Sequence, residues 1–461
     1  MLKSIIGKFG IFYFRFVFSY NKEDKKLNDS KALKRLEALF DDGAFTQLDA
    51  YAKSANGEVE VVAGFGTVND CPVYAFSQDV MVNDGAVTVA QCAKINKIYN
   101  LASKTGCPVI GIYDSNGVKL DEGFEVLSAY GELVKASAAI SGVCPQISLI
   151  AGACVGTSAL IANLADVVVA VKDADYYISA PSDITAKECS EQGTVDVLCD
   201  DFDKACEAVK DIVSLMPSNN LSPAPIFDFS ASQTAFVEEM SAIDTIKACA
   251  DDSSVVELKS DYAPSNCKTA LASVMGTTVG FVAFDGESLC PSCAYKAEAM
   301  IKLCDAYSIP VVTIVNSNGV SKDKENQVLT AVTKLTSAYA GATCPKISLV
   351  TGQAIGASYI VLAGKGANAD ITLAWDTAVV SPLDADAAVA FLYNDKLAAG
   401  EDRESLKKEY LDTIASPFTA AACGAVDDIF APAETRGKLI AALDMLAGKR
   451  ENTIPRKHSV K

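Results

Sequence analysis

One long segment of this chain occurs twice. Cys144–Pro145–Gln146–Ile147–Ser148–Leu149–Ile150–Ala151–Gly152–Ala153–Cys154–Val155–Gly156–Thr157–Ser158 returns, with no residue inserted or deleted, as Cys344–Pro345–Lys346–Ile347–Ser348–Leu349–Val350–Thr351–Gly352–Gln353–Ala354–Ile355–Gly356–Ala357–Ser358. Each copy is a short apolar, β-rich run that passes through small residues into an Ala-rich stretch of helical character. A strand that turns through glycine into a helix leaves backbone N–H groups free at the helix N-terminus, where they favour developing negative charge. Two such turns predict two oxyanion holes.

The repeat continues upstream. Thr105 to Val118 and Tyr307 to Val320 both read as a buried-type strand followed by a Ser-Asn-Gly turn, Ser115–Asn116–Gly117 and Ser317–Asn318–Gly319. A helical stretch precedes each, Ala90 to Ala102 and Ala294 to Tyr307, with Lys94 and Lys296 at matching places. Further back, Gly64–Phe65–Gly66–Thr67–Val68 with Val73 to Phe76 is matched to Met275–Gly276–Thr277–Thr278–Val279 with Phe281 to Phe284. The predicted order β, β, helix, β, helix, β, helix therefore occurs twice. This spacing is far longer than the roughly 20–50 residues of solenoid repeats, so duplicated α/β domains are expected.

A length of 461 residues is enough for two or three domains with sizeable cores. No window approaches the roughly 18 uninterrupted apolar residues of a membrane span. The formal net charge of −18 argues against broad nucleic-acid binding, which needs a basic footprint. The fifteen cysteines are scattered through apolar segments, as buried thiols of a reducing cytoplasm would be. Cys290–Pro291–Ser292–Cys293 has no second pair to complete a structural zinc site, and neither zinc nor a redox role is expected of it.

Residues 1–30 form an N-terminal extension, either poorly ordered or a surface-lying amphipathic segment, since Lys8 and Arg15 interrupt its apolar run. The first domain is expected over 31–255 and the second over 256–461. Between them, Asp200 to Leu215 reads as an amphipathic helix, Pro217 to Pro225 as a loop and Asp251 to Pro264 as a polar connector. Leu439 to Lys449 is a further expected helix, followed by a basic tail.

The chain's chemistry is narrowed by what it lacks. Its one histidine, His458, lies in that tail, so Ser-His-Asp, Cys-His and His-metal devices are not expected. Gly152–Ala153–Cys154–Val155–Gly156 does not have the spacing of a dinucleotide fingerprint, and no phosphate-binding Gly-Lys-Ser/Thr occurs. Asp114 has Asn316 as its counterpart, so it reads as a turn residue and not as a repeated general base. What remains is stabilisation of charge by peptide N–H groups, each worth on the order of 3–4 kcal/mol when aimed at an oxyanion.

Lys31 to Asp49, Gly64–Phe65–Gly66–Thr67–Val68, Phe76–Ser77–Gln78–Asp79, Gly131–Glu132, Gly142 to Ser148 and Pro432–Ala433–Glu434–Thr435–Arg436 occur in collinear order. Through them the chain, from about residue 31 to its end, resembles the carboxyltransferase subunits of biotin-dependent acyl-CoA carboxylases and decarboxylases. That resemblance implies tandem crotonase-like domains. It also implies a mechanism that needs no histidine: carboxybiotin releases carbon dioxide, the biotin ureido nitrogen removes the α-proton of the acyl-CoA, and the enolate attacks the carbon dioxide, or the reverse.

By the same resemblance, Gly156–Thr157 would hold the thioester enolate, and Gly356–Ala357–Ser358 the biotin ureido oxygen. Asn116, Gly117 and Lys119 would contact substrate, and Ile360 would line a small acyl pocket or be a plain core residue of its helix. Relatives usually carry Gly-Gly where this chain has Gly156–Thr157 and Gly356–Ala357. Biotin would arrive on a separate carrier protein, the acyl-CoA would be the substrate, and no metal is implied. Implied partners are that biotin carboxyl carrier, a biotin carboxylase or a membrane decarboxylase subunit, and further copies of this chain, from dimer to hexamer. The expected location is cytoplasmic, with membrane association only through a complex. Two alternatives stay open at this point: a crotonase-type hydratase or isomerase, which needs a well-placed carboxylate, and a non-catalytic scaffold subunit.

Overall fold

The structure, a computed structural model, describes residues 30–52 and 61–451 apart from 181, 238 and 368. The expectations for residues 1–29, the terminal tail and His458 lie outside these residues.

Two sheets of eight strands repeat one topology. In the first, β1 (Phe45–Leu48), β2 (Val61–Val68), β3 (Cys71–Gln78), β5 (Val109–Ser115), β7 (Gln146–Val155), β8 (Val167–Val171) and β10 (Val197–Cys199) lie side by side in that order, and β9 (Tyr176–Tyr177) pairs the far end of β7. A separate two-stranded ribbon joins β4 (Ala86–Val87) to β6 (Gly117–Val118). In the second, β11 (Val256–Leu258), β12 (Cys267–Val274), β13 (Thr277–Phe284), β14 (Val311–Ser317), β15 (Lys346–Ile355), β16 (Ile371–Trp375) and β18 (Asp428–Phe430) follow the same order, with β17 (Val379–Ser381) on β15. The first three strands of each sheet are antiparallel and the rest parallel. The parallel strands are covered on both faces, which is why they read as continuous apolar runs such as Val167–Val171.

The upstream repeat is registered differently from the sequence expectation. Gly64–Val68 closes β2, and its structural counterpart is the end of β12, whereas Met275–Gly276 is the turn between β12 and β13. The matching turn is Asn69–Asp70, and all four residues have positive φ (48°, 64°, 49° and 71°). Two consecutive left-handed residues suit the right-handed twist of a tight hairpin. The connector at Asp251 to Pro264 also differs from expectation, because it contains the edge strand β11.

The expected helix at Asp200 to Leu215 is observed as Phe202–Leu215, capped by Asp201, whose side chain accepts from Lys204 N–H. Its apolar face brings Val209 and Ile212 into a core shared with Leu258, Leu271 and Val282 of the second sheet. Polar links cross between the halves as well. Tyr307 donates its hydroxyl to Asp166 at 2.7 Å, and Lys259 pairs with Asp196 at 2.9 Å. Burial pushes Asp166 up to about 6 against the hydrogen bonds it accepts from Tyr307 and Gln146. Lys94 and Lys296 lie at equivalent buried places in the helices Val89–Thr105 and Pro291–Ala306.

Cys290 and Cys293, expected as thiols without a redox role, are joined as a disulfide across the first turn of Pro291–Ala306. The other cysteines are free, and most are buried. Among the described residues no helix is long and apolar enough to cross a membrane, and no cluster of three or more His, Cys, Asp or Glu is placed to hold a metal ion.

Candidate active site

Each sheet builds one site from a bulge, a glycine turn and a short helix. The register between β5 and β7 shifts between Tyr113 and Ser115, and between β14 and β15 it shifts between Val315 and Ser317. Asp114 and Asn316 occupy those two places. Asp114 Oδ1 accepts from Ala153 N–H at 3.2 Å, and Asn316 Oδ1 accepts from Gln353 N–H at 3.0 Å. A Cβ on Gly152 would collide with the Asp114 carboxylate, and one on Gly352 with the Asn316 amide. These residues therefore do one job in both halves, fixing the end of the long strand. Asp114 is 3% exposed and pairs with Arg35 at 2.8 Å, so it is a buried strut at a strand bulge and not the turn residue expected from its position.

Beyond the bulge the strand ends at Gly156 (φ 64°, ψ −133°) or Gly356 (φ 57°, ψ −124°). Only glycine adopts this backbone conformation at low cost. The amides of these glycines are already used, since Gly156 N–H donates to Tyr177 O at 2.9 Å and Gly356 N–H to Ser381 O at 2.8 Å. The free donors begin one residue later. Thr157 and Ala357 open the helices Thr157–Ala162 and Ala357–Leu362, and a first-turn amide has no intrahelical acceptor. Among the described residues neither amide has an acceptor outside its helix. The glycines shape the turn, and the residues after them present the N–H groups.

Buried hydroxyls hold the turns from below. Ser158, 2% exposed, lies 2.8 Å from the Tyr130 hydroxyl and 3.4 Å from Ser115 Oγ, which donates to Gly85 O at 2.7 Å. Burial pushes the Tyr130 phenol up, with Ser158 pulling the other way, so it stays protonated. In the second half, Ser358 Oγ donates to Ile355 O at 2.8 Å and approaches Ser317 O at 3.3 Å. Ser358 is fully buried, so its hydroxyl is a brace, and only its N–H is a candidate donor. Tyr130 and Ser158 were not singled out by sequence, although Ser158 stands opposite Ser358 in the repeat.

Gly117 (φ 100°) packs beside the end of β7, where an added Cβ would lie 3.6 Å from Val155 O. Asn116 is exposed, and its amide donates to Gly85 O at 3.1 Å. Lys119 N–H donates to Val87 O, while its ammonium is 3.9 Å from Asp121 and partly exposed. Ile360 is 56% exposed and is therefore not a plain core residue. It lines a cavity of about 650 Å³ with Gly356, Ala357, Val380, Pro382 and Ile414. Leu160, at the same place in the first half, lines a cavity of about 370 Å³ with Tyr177, Ile178 and Ile184. No Asp or Glu lines either cavity among the described residues.

A carboxyl transferase domain model matches residues 25–460. The chain belongs to the carboxyl transferase family. It is 34% identical to the propionyl-CoA carboxylase beta chain of Saccharopolyspora erythraea, covering 93% of this chain and 89% of the relative. It is 30% identical to the methylmalonyl-CoA decarboxylase subunit alpha of Veillonella parvula, covering 93% and 92%. The solved transcarboxylase 12S hexamer, with methylmalonyl-coenzyme A and methylmalonic acid bound, superposes with a TM-score of 0.86 at 30% identity, covering 95% and 94%. The family's duplicated crotonase-like fold is the one the resemblance implies, and its duplication is the one the sequence repeat predicts; its members are acyl-CoA carboxyltransferases and decarboxylases.

Proposed function

We propose that this carboxyltransferase moves a carboxyl group between carboxybiotin and a short acyl-CoA, taking acetyl- or propionyl-CoA to malonyl- or methylmalonyl-CoA or running the reverse. The observation that carries this reading is the matched pair of free amides, Thr157 and Ala357, each opening a helix whose exposed apolar residue, Leu160 or Ile360, lines a cavity. Thr157 N–H would hold the thioester oxygen as the enolate forms, and Ala357 N–H, with Ser358 N–H behind it, the ureido oxygen of biotin. The second cavity suits that group: Ile360, Val380, Pro382 and Ile414 give an apolar wall for the ring system, and a free amide stands at its edge. Biotin, delivered on a carrier protein, supplies the carboxyl group and the proton acceptor.

The chain's own contribution is orientation and charge stabilisation. Its donors are backbone groups fixed before substrate arrives, so no reorganisation opposes the build-up of charge. Threonine at 157 keeps the N–H, but its branched side chain crowds the space beside it. The first half, 31–255, would carry the acyl-CoA, with Asn116, Gly117 and Lys119 on its loop. The second half, 256–461, would carry biotin, and the two would meet across the interface of a dimer within a hexamer. A biotin carboxylase or a membrane decarboxylase subunit would complete the complex. A hydratase or isomerase reading is disfavoured because, among the described residues, neither cavity is lined by a carboxylate to move a proton.

The test is carboxyl exchange by the purified chain supplied with biotinylated carrier, or free biotin, and malonyl- or methylmalonyl-CoA. Biotin-dependent exchange is expected. No exchange with any short acyl-CoA would overturn the reading.

A further inference from the structure

The repeat gives an internal control for the start of the helix Pro291–Ala306. Its counterpart Val89–Thr105 begins with Thr88, whose hydroxyl accepts from Gln91 N–H at 3.2 Å in an ordinary cap. The second half has Cys290 in place of Thr88 and Cys293 in place of Gln91, and Cys293 N–H points at Cys290 Sγ at 3.2 Å. Sulfur is a weak acceptor, so capping alone does not account for the exchange of hydroxyl for thiol. The two Cα atoms are 5.2 Å apart, within the range a disulfide spans, and the bond is formed. Cys290 is partly exposed, whereas Cys293 is fully buried.

The segment leading into Cys290 is tied to a loop beside the Gly356 turn. Gly286 N–H donates to Asn316 O at 2.8 Å, Leu289 N–H to Gly319 O at 2.9 Å, and Ser321 N–H to Leu289 O at 3.1 Å. Ser288 Oγ donates to Asn318 Oδ1 at 2.7 Å. The same loop, through Ser317 O, meets Ser358 Oγ. Anything that frees the chain at Cys290 therefore acts on residues 316–321.

We propose that Cys290 and Cys293 are a redox-active pair that exchanges with dithiol reductants, and that opening the bond loosens the strap 286–290 against 316–321. A thiolate of the reductant attacks the accessible Cys290 Sγ. The Cys290–Cys293 bond breaks, and Cys293 leaves as a thiolate that takes up a proton. The reductant's second thiol then displaces Cys290 from the mixed disulfide. Two electrons pass to the protein, giving two thiols, and the reductant becomes a disulfide. The helix N-terminus favours the Cys290 thiolate, which speeds the reverse attack.

The experiment uses the full chain without substrate, so its outcome is independent of carboxyl transfer. Samples equilibrated with oxidised or reduced dithiothreitol are alkylated under native conditions, and the Cys290–Cys293 peptide is weighed. No label is expected on the oxidised pair. After reduction Cys290 should label about tenfold faster than the exposed Cys423. Label without reductant, or a pair that opens only after denaturation, would overturn the redox assignment. Hydrogen exchange at Leu289 and Ser321 should quicken in the reduced protein, and equal exchange in both states would overturn the strap. Cys290→Ser, which restores a hydroxyl cap, should fold and leave no reducible bond.

Discussion

Asp251 accepts the Gly276 amide at 2.8 Å and the Met275 amide at 3.1 Å, so one buried carboxylate caps the whole hairpin turn between β12 and β13. Asp41 does the same in the first half, accepting from Asn69 at 2.9 Å and Asp70 at 3.0 Å. Burial works against ionisation of Asp251, but hydrogen bonds from Gly276, Ser273 and Arg436 outweigh it and hold the group below the usual aspartate range. Arg436, from the segment Pro432–Arg436 that carries part of the family resemblance, reaches Asp251 at 2.6 Å and is thereby a structural residue.

The first prediction concerns stability. Asp251→Ala leaves the turn amides without their acceptor and Arg436, which keeps only the carbonyls of Cys249 and Ala250, without its counter-charge in a buried place, and should cost about 3–5 kcal/mol. Asp41→Ala, in a more exposed position, should cost about 1 kcal/mol. Because the folded-state pKa of Asp251 is depressed, its contribution is complete above the unfolded aspartate value and is lost as pH falls through the lower folded value. Urea midpoints for wild type and Asp251→Asn should therefore converge in acid. A gap that stays constant with pH would show that ionisation of Asp251 is not what holds the turn.

Which features could be read from sequence follows from how they are enforced. The turns at Gly156 and Gly356 were legible because a φ near 60° with a strongly negative ψ admits only glycine, so identity and geometry coincide. The hairpin turns were misregistered because Asn69–Asp70 and Met275–Gly276 share a backbone shape without sharing side chains. Asp41 and Asp251 went unseen for a related reason: they bind peptide amides, which leave no pattern in the letters. The strand β11 was hidden because a three-residue edge strand with Glu257 at its centre reads as connector. The role of Asp114 was obscured by its pairing with Asn316, since the two residues share an acceptor oxygen but not a charge.

The second prediction separates the glycines from the donors. Thr157→Pro and Ala357→Pro each remove one N–H at the first helical position, where proline is tolerated. Each should lower kcat by about 10²–10³-fold with the fold intact by circular dichroism. Thr157→Gly should keep or raise activity, because it retains the N–H and clears space. Gly156→Val should abolish activity by forcing a side chain into φ 64°. Proline variants with full activity would move the oxyanion sites elsewhere.

The third prediction uses a buried lysine. Lys296 is 1% exposed, and its ammonium donates to the carbonyls of Lys259 at 2.7 Å and Tyr262 at 2.9 Å. Burial pushes its pKa down to about 8. Between that value and the ordinary lysine range near 10.4, the unfolded chain holds a proton that the folded chain has released, so this group makes stability rise with pH. Other groups titrate in the same window, and the difference from Lys296→Met isolates the lysine. Wild type should gain on Lys296→Met from about pH 8 to about pH 10. A flat difference would mean that Lys296 keeps its ordinary pKa in the fold.

The fourth prediction asks which cavity selects the acyl group. Ile360 and Leu160 stand at equivalent places in the repeat and are 56% and 44% exposed, so shortening either should alter stability by less than about 1 kcal/mol. If Ile360, on the wall of the cavity proposed for biotin, also meets the acyl end of a CoA ester carried by the first half of another subunit, Ile360→Ala makes room for one more methylene. The ratio of kcat/KM for the bulkier of two acyl-CoA substrates over the smaller should then rise by about tenfold. Leu160→Ala, on the surface assigned to CoA, should change KM for all acyl-CoA substrates alike and leave that ratio near its wild-type value. A ratio that moves with Leu160 and not with Ile360 would place the acyl group against the first-half helix. The assignment of acyl selection to the second half would then fail, whereas the two amide donors would still be judged by their own proline variants.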